Sequence, residues 1–310
     1  MPDGSVDPFR LTTANILAAR LNGADVMTYH EVVGFEKSQD SITGVHLRSR
    51  KTGEQSTVYG KVTVNACGIW GHHVAELAGV KVNMYPAKGS LLIFGHRVNN
   101  MVINRCRKPA DADILVPGDT ISVIGTTSTR IPFNEIDRME VTPEEVDLLL
   151  REGEKLSPRL GWTRVLRAYA GVRPLVADDK DPTGRSISRG IVCLDHEKRD
   201  GLKGFITITG GKLMTYRLMA EEATDMVCRK LGVDRKCETA EVPLPGSEPD
   251  AKDEDRRQHI IELSAEMRAA EGRHGSWTGR IESGTDAGDA LVCECEQVSV
   301  AEVNLSLIHI

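Results

Sequence analysis

The pattern of apolar and polar positions predicts one helix and then a run of short strands at the start of the chain. Asp7 and Pro8 supply an N-cap and a first-turn proline for a helix that runs to about Asn22, where Gly23 ends it. Alternating apolar runs bounded by turn residues then predict four β-strands. These strands are Asp25–Tyr29, Val32–Glu36, Thr43–Arg48 and Ser56–Tyr59.

A strand–turn–helix unit follows these strands. The run Lys61–Ala66 stops at Cys67-Gly68, and a helix is predicted over His73–Ala78. This unit is the one from which α/β cofactor-binding folds are built.

The pattern changes at Tyr85. Short strands at Leu91–Phe94, Asp113–Val116 and Ile121–Gly125 are joined by Pro, Gly and Asp turns, which indicates an antiparallel sheet. One helix then opens at Thr142, with Pro143 at its first position and a capping-box glutamate at Glu145. We interpret residues 85–164 as a second domain inserted into the first.

The most informative segment is Phe205–Gly232, an apolar strand that ends in Gly210-Gly211-Lys212 and turns directly into an amphipathic helix. Adjacent glycines allow a ligand to approach the backbone. The helix N-terminus and Lys212 both favour an electron-rich group, such as a phosphate or the N1/C2 edge of a reduced flavin. The alternative is an ordinary strand–turn–helix packing unit.

Arg173, between Val172 and Pro174, is a second candidate. A guanidinium held in a rigid local frame suits two-pronged binding of a phosphate or carboxylate. The alternative is a structural ion pair with Asp178 or Asp179.

Three further groups give weaker signals. The basic cluster Arg105–Lys108 attracts anions or is simply a solvated loop, and Thr126–Ser128 face a cleft or satisfy nearby backbone. The histidines show no metal-ligand spacing and are interpreted as helix-start or loop residues. They are His72, His73, His96 and His196.

The end of the chain is polar and uneven, so residues 247–290 are predicted to be a linker. Order signals resume near Ala290. Cys293 and Cys295 have the Cys-x-Cys spacing of iron–sulfur or zinc ligands, but four ligands are normally needed. The pair therefore cannot close a site alone, and a chance pair remains the alternative.

Composition narrows the class of protein. The 310 residues are 40% apolar and 27% charged, with a net charge of −6 and no basic stripe, which argues against nucleic-acid binding. We find no 18-residue apolar run and no leader. Seven mostly solitary cysteines indicate a reducing compartment, so we expect a cytoplasmic protein.

Together these motifs resemble the FAD-dependent glycerol-3-phosphate dehydrogenases of the D-amino-acid-oxidase-like flavoprotein superfamily, in particular the large catalytic subunits of the bacterial anaerobic type. The resemblance covers about residues 2–246 and resumes at Val292–Val303. The motifs that carry it are Asp3-Gly4, Val6–Leu11, Val64–Trp70, Pro86–Ser90, Asn104–Lys108, Asp113–Thr127, Gly171–Leu175 and Ile206–Arg217.

The resemblance implies an α/β (α+β) fold, with a glutathione-reductase-like FAD domain that lacks its N-terminal βαβ unit and an inserted antiparallel-sheet substrate domain. The segments are then 1–84 and 165–246 for the FAD domain, 85–164 for the substrate domain, 247–290 for the linker, and 291–310 for the start of a truncated [2Fe–2S]-type domain.

The resemblance also implies site residues and a reaction. Hydride transfer from C2 of sn-glycerol 3-phosphate to flavin N5 gives dihydroxyacetone phosphate, and electrons pass to the quinone pool. Arg173 and Lys212 are the implied catalytic residues, and Cys293 and Cys295 a partial [2Fe–2S] site. The implied FAD-binding residues are Val32, Asn65, Ala66, Gly68, Gly210, Gly211, Lys212, Leu213, Met214 and Thr215.

Partners follow from the same resemblance. Members of the anaerobic type work with other subunits, including a membrane-anchoring iron–sulfur subunit. This implies a peripheral position on the cytoplasmic face of the inner membrane.

Departures from the family pattern lead to a fragment hypothesis. The dinucleotide fingerprint and the distal cysteines are absent, residues 304–310 leave the pattern, and Leu91 stands where aerobic relatives have a histidine base. We therefore expect an internal fragment of a protein roughly twice as long. The alternatives are a related FAD dehydrogenase of another small hydroxy or amino acid, and a non-catalytic fragment unable to hold FAD.

Overall fold

The structure of the chain is a computed structural model. The structure describes residues 4–118, 120–176, 190–245, 247, 291–293, 298–300 and 303.

The chain opens with helix α1, Pro8–Leu21. Asp7 caps it, because its Oδ1 accepts hydrogen bonds from the backbone N–H of Phe9 at 2.9 Å and of Arg10 at 3.0 Å. The predicted first helix is thus confirmed to within one residue.

An antiparallel three-stranded sheet follows. Its strands are β1 (His30–Ser38), β2 (Ser41–Ser49) and β3 (Gln55–Tyr59), and β2 lies in the middle. The predicted strand Asp25–Tyr29 is wrong. Tyr29 has a φ of 59°, in the left-handed region, and ends a turn that leads into β1.

A second three-stranded sheet joins distant parts of the chain. Strand β4 (Thr63–Asn65) is parallel to β12 (Phe205–Gly210), with Asn65 opposite Thr207, and β11 (Ile191–Asp195) is antiparallel to β12. Helices α2 (Gly71–Leu77), α4 (His196–Asp200) and α5 (Tyr216–Leu231) follow β4, β11 and β12 respectively. The predicted strand–turn–helix units are confirmed.

The third sheet has six strands. They are β5 (Tyr85–Phe94), β6 (Ile103–Asn104), β7 (Ile114–Pro117), β8 (Ser122–Gly125), β9 (Thr129–Arg130) and β10 (Val165–Leu175). Their order is β10-β5-β8-β7-β6, with β9 also paired to β5. Every pairing is antiparallel, as predicted.

Helix α3 (Pro143–Glu154) packs on this sheet. Its N-terminus carries the predicted capping box between Thr142 and Glu145. Between helix and sheet lies a core that includes Leu92, Phe94 and Leu149, all fully buried.

The six-stranded sheet extends past residue 164, the predicted end of the inserted segment. Strand β10 pairs with β5 from Val165 to Leu175, so the chain leaves this sheet only after Leu175. The strand that carries Arg173 therefore belongs to the antiparallel sheet.

Near the C-terminus, β13 (Leu291–Cys293) pairs with β14 (Val298–Ser299). Among the residues that the structure describes, no helix combines the length and the apolar character needed to span a bilayer. The predicted linker 247–290 lies outside the described residues, apart from Ser247.

Candidate flavin and substrate site

The turn after β12 is built around two consecutive left-handed glycines, Gly210 with a φ of 75° and Gly211 with a φ of 69°. A Cβ at Gly210 would lie 2.3 Å from the carbonyl oxygen of Gly190, and one at Gly211 would lie 2.3 Å from Sδ of Met219. Glycine is thus required here by the protein's own packing, in addition to any ligand.

Thr215 fixes the backbone that follows these glycines. Its hydroxyl lies 2.9 Å from both the amide nitrogen and the carbonyl oxygen of Lys212. A 3-10 turn, Leu213–Thr215, then leads into α5. Leu213 and Met214 are exposed, with 51% and 83% of their surface accessible. The turn therefore presents an apolar surface beside a helix N-terminus and a lysine.

The second turn, after β4, is organised by the buried side chain of Asn65. Its Nδ2 donates to the carbonyl of Gly71 at 2.8 Å and to Oγ1 of Thr207 at 3.3 Å, while its Oδ1 accepts from the amide of Cys67 at 3.3 Å. Gly68 has a φ of 55°, and a Cβ there would meet nothing within 4 Å. Because the Asn65 amide is used internally, this turn can meet a cofactor through its backbone.

Arg173 lies on β10, and its guanidinium crosses the strand β5. A Cβ at Gly89 would lie 2.3 Å from Nη2 and 2.7 Å from Nη1 of Arg173. Nη2 also donates to the hydroxyl of Thr126 at 2.5 Å, and to the carbonyl of Thr127 at 3.4 Å. The absence of a side chain at Gly89 and these two oxygens define where the guanidinium lies. Asp178 and Asp179, the alternative ion-pair partners, lie outside the described residues.

Strand β10, which carries Arg173, contacts both β12 and the 3-10 turn Gly68–Trp70. Val32 lies on β1 of the first sheet, opposite Leu47. Cys293 ends β13, and Cys295 lies outside the described residues. Arg173 thus lies on a strand that packs against one of the two turns and against the strand that leads into the other.

Thr209 tests whether these turns fit a large polar ligand. It is only 2% exposed, and its hydroxyl has no hydrogen-bond partner within the described part of the chain. Buried hydroxyls are nearly always paired, so this hydroxyl, directly before Gly210, is available to a polar ligand at the turn. The hydroxyl of Thr120, between β7 and β8, also has no partner among the described residues. The backbone at Gly68, the N-terminus of α5 and the apolar Leu213–Met214 surface suit the polar edge and flat ring of a flavin.

A buried ion pair supports the strand that Arg173 crosses. Lys88 Nζ lies 2.8 Å from Glu145, whose other oxygen accepts from Ser90 Oγ at 2.9 Å and from Thr127 Oγ1 at 3.2 Å. Burial alone would raise the pKa of Glu145. The bonds from Lys88, the Thr142 backbone and Ser90 outweigh it and hold the pKa below 4.5. No local sequence signal marks this pair, because its members are 57 residues apart.

The basic cluster Arg105–Lys108 is largely structural. Arg105 lies 2.8 Å from Glu152 and Arg107 lies 2.7 Å from Asp113. Hydrogen bonds from Lys155 and Arg105 lower the pKa of Glu152 to about 2. Two of its cations are thus committed to carboxylates, which favours neither the substrate-attracting nor the freely solvated interpretation.

Three ligand-type side chains also meet on α2, against the expectation of no metal spacing. Donor atoms of His72, His73 and Glu76 lie within 4.8 Å of one another. His72 Nε2 is 3.2 Å and His73 Nδ1 is 3.5 Å from the Glu76 carboxylate, so polar contacts between the glutamate and the two imidazoles account for the arrangement.

The fold and the two turns point to a class of flavin-dependent enzymes. The sequence family described as DAO, FAD dependent oxidoreductase, matches residues 1–217, and the chain belongs to it. The cofactor named by that family is FAD, as the turns indicate.

Individual relatives with similar sequences narrow the class of enzyme further. The chain is 59% identical over 308 residues to a subunit of the anaerobic glycerol-3-phosphate dehydrogenase of Escherichia coli K12, covering 99% of this chain and 56% of that protein. It is 58% identical to the corresponding subunit of the Haemophilus influenzae enzyme, covering 99% of this chain and 54% of that protein. The chain thus spans about half the length of the curated relatives it matches, which agrees with the fragment hypothesis.

Solved structures agree on the fold. The glycerol-3-phosphate dehydrogenase of Bacillus halodurans, complexed with FAD, superimposes with a TM-score of 0.65 at 25% identity, over 88% of this chain and 54% of that one. Glycine oxidase of Bacillus cereus gives 0.53 at 20% identity, over 74% of this chain and 57% of that one. The predicted family and fold class are confirmed.

Proposed function

We propose that the chain is the flavin- and substrate-contacting part of a glycerol-3-phosphate dehydrogenase, which oxidises sn-glycerol 3-phosphate to dihydroxyacetone phosphate. The observation that carries this is the placement of Arg173, whose guanidinium is fixed on a strand that contacts the 3-10 turn after β4 and the strand β12 that leads into the glycine turn. The 59% identity to the E. coli protein supports the choice of substrate.

Each residue group then has a role. Arg173 binds the phosphate or a hydroxyl of the substrate through two N–H groups. The backbone at Ala66 and Gly68 and the turn Gly210–Thr215 hold the flavin ring, and Lys212 with the N-terminus of α5 offsets negative charge at its N1/C2 edge. FAD, when bound, accepts the hydride from C2 of the substrate. We assign no general base, because the side chain of Leu91 has no group that can take a proton.

A second substrate class is compatible with the same site. Arginine binds carboxylates with the geometry that it uses for phosphates, and the fold is shared with glycine oxidase. A dehydrogenase of another small hydroxy or amino acid is therefore the alternative. The non-catalytic alternative is a fragment that cannot hold FAD.

Assembly is proposed on the names of the relatives. Each of these names describes one subunit of an enzyme, so we infer further subunits. An iron–sulfur membrane anchor, electron transfer to quinone, a [2Fe–2S] cluster that uses Cys293 and Cys295, and a peripheral position on the cytoplasmic membrane are finer proposals that follow from the family resemblance.

One anaerobic titration tests the central proposal. The purified chain is mixed with FAD, and its visible spectrum is recorded before and after addition of glycerol 3-phosphate. Bleaching of a protein-bound flavin band supports the proposal. Bleaching by a small amino or hydroxy acid instead supports the second class, and a folded protein without flavin supports the non-catalytic alternative.

A further inference from the structure

A row of buried polar side chains runs inward from helix α4. His196, the first residue of α4, is fully buried. Its Nδ1 lies 2.6 Å from Oδ2 of Asp200 and its Nε2 lies 2.8 Å from Oγ1 of Thr207. Because a carboxylate only accepts, Nδ1 carries the proton, and Nε2 accepts from the hydroxyl of Thr207.

The row continues with one consistent direction. Having donated its proton to His196, the Thr207 hydroxyl is left to accept from Nδ2 of Asn65 at 3.3 Å. Asn65 donates its other proton to Gly71 at 2.8 Å, and its Oδ1 accepts from the amide of Cys67 at 3.3 Å. Each donor thus meets an acceptor from Asp200 to the turn that follows β4.

The charge states of His196 and Asp200 and the packing of the imidazole keep the hydrogen bonds of the row in this direction. Burial lowers the pKa of His196, which favours the neutral ring. Burial alone would raise the pKa of Asp200, but hydrogen bonds from His196 and Arg199 outweigh it and lower the pKa. Phe205 packs on the imidazole with ring centroids 5.0 Å apart. The ring is therefore fixed at both nitrogens and on one face.

The direction selects one orientation of the Asn65 amide. If that amide were flipped, its oxygen would face the carbonyl of Gly71 and a Thr207 hydroxyl already committed to His196. Its NH₂ group would face the N–H of Cys67. None of these three contacts would be a hydrogen bond, so the flipped form would lose the bond that holds the Cys67 amide.

We propose that His196, oriented by Asp200, is a positioning residue that fixes the flavin-facing turn Asn65–Gly68 through Thr207 and Asn65. This role rests on the proposed function, since it assumes that the turn faces flavin. Neither His196 nor Asp200 contacts substrate or cofactor in this scheme. Both are distant from the turn in sequence, and the pairing of β12 with β4 brings the two parts together.

Two variants test the proposal. His196→Phe keeps a ring against Phe205 but removes both hydrogen bonds. Asp200→Asn keeps the shape and replaces one carboxylate oxygen by an NH₂ group. Where that group faces Nδ1, it reverses the tautomer and hence the direction of the row. The matched control is His46→Phe, because His46 also lies between a threonine and a carboxylate, Thr57 at 2.9 Å and Glu36 at 3.5 Å, but on the first sheet.

The measurements are the exchange rate of the Cys67 amide in the protein without FAD, the nitrogen shifts of the His196 ring, and the dissociation constant for FAD. We expect exchange and the dissociation constant to rise about tenfold in both variants and to stay unchanged in the control. We also expect Nδ1–H in the parent and Nε2–H in Asp200→Asn.

The outcomes separate the two proposals. Suppose that the parent protein does not bind FAD but the Cys67 amide exchanges faster in the variants. This result supports the positioning role of His196 and counts against the proposed function. Unchanged exchange and unchanged FAD affinity overturn the positioning role, in His196→Phe or in an Asp200→Asn protein whose ring shifts show Nε2–H. If His196→Phe does not fold, Asp200→Asn alone decides.

Discussion

The surroundings of Arg173 and of Asn65 bury polar groups in opposite ways. Beside Arg173, a charged pair of Lys88 and Glu145 lies under the strand at 2.8 Å. Around Asn65, the interior is a row of neutral donors and acceptors whose charged end, Asp200, is near the surface. The surroundings of Arg173 are therefore stiffened by ionic contacts, and those of Asn65 by directional hydrogen bonds. We expect the two regions to respond differently to pH and to isosteric substitution.

The largest expected effect is on the ionic side. Glu145→Gln leaves the buried Lys88 without its carboxylate, so we expect the free energy of unfolding to fall by about 3 kcal/mol at pH 7. Chemical denaturation measures it. Glu144→Gln, at an exposed neighbour on the same helix turn, is the control and should change stability far less than Glu145→Gln does.

The same variant gives a pH test. The folded-state pKa of Glu145 lies below the ordinary value of 4.5, so its stabilisation is complete above about pH 5 and is lost as the pH falls through the folded pKa. The stability difference between parent and Glu145→Gln should therefore shrink as the pH falls below about 4.5. A constant difference down to about pH 3 would contradict the ionic description.

Arg173→Ala comes next. Loss of charge-assisted hydrogen bonds should weaken glycerol 3-phosphate binding by about 2–3 kcal/mol, a factor of roughly 30–150, with FAD affinity little changed. Calorimetry with the substrate measures this. Arg167→Ala, on the same strand, should leave binding within a factor of about two, and an equal loss in both variants would show a general charge effect.

Gly89→Ala sharpens the argument about position without removing the charge. Its methyl group would overlap the Arg173 guanidinium, so we expect substrate affinity to fall about tenfold. Gly171→Ala is the matched control, because Gly171 pairs with Gly89 across β10 and β5 and a Cβ there meets nothing within 4 Å. Unchanged affinity in Gly89→Ala would mean that the guanidinium can bind from another position.

Sequence motifs of adjacent residues predict the structural features that those residues form among themselves. The capping box of α3 and the glycine turn after β12 are predictable because their residues are adjacent in sequence. The strand predicted to end at Tyr29 is wrong because a left-handed backbone interrupts a strand-like composition. The row from His196 to Asn65 has no sequence signal, since Asn65 and Thr207 are 142 residues apart and meet through sheet pairing.

The candidate site divides in the same way. Arg173 and the turn Gly210–Thr215 carry a chemical signal of their own, a guanidinium beside a proline and a glycine pair before a helix. Gly89 carries no such signal. A glycine is needed there because the Arg173 side chain, from the neighbouring strand β10, occupies the space that a Cβ would take. Its role becomes visible only when β5 and β10 lie side by side.

The smallest expected effect is at Thr209, on the neutral side. Thr209→Val keeps the shape and removes a buried hydroxyl that has no partner among the described residues. Without FAD, stability should stay the same or rise by up to about 1 kcal/mol, because no protein hydrogen bond is lost. FAD affinity should fall a few-fold if that hydroxyl bonds the cofactor.

Thr207→Val serves as the contrast, since its hydroxyl links His196 and Asn65 and its loss should lower stability without FAD. Thermal melts with and without FAD separate the two cases, and a Thr209→Val protein that is destabilised alone and unchanged towards FAD would show that this hydroxyl belongs to the protein's own hydrogen bonding.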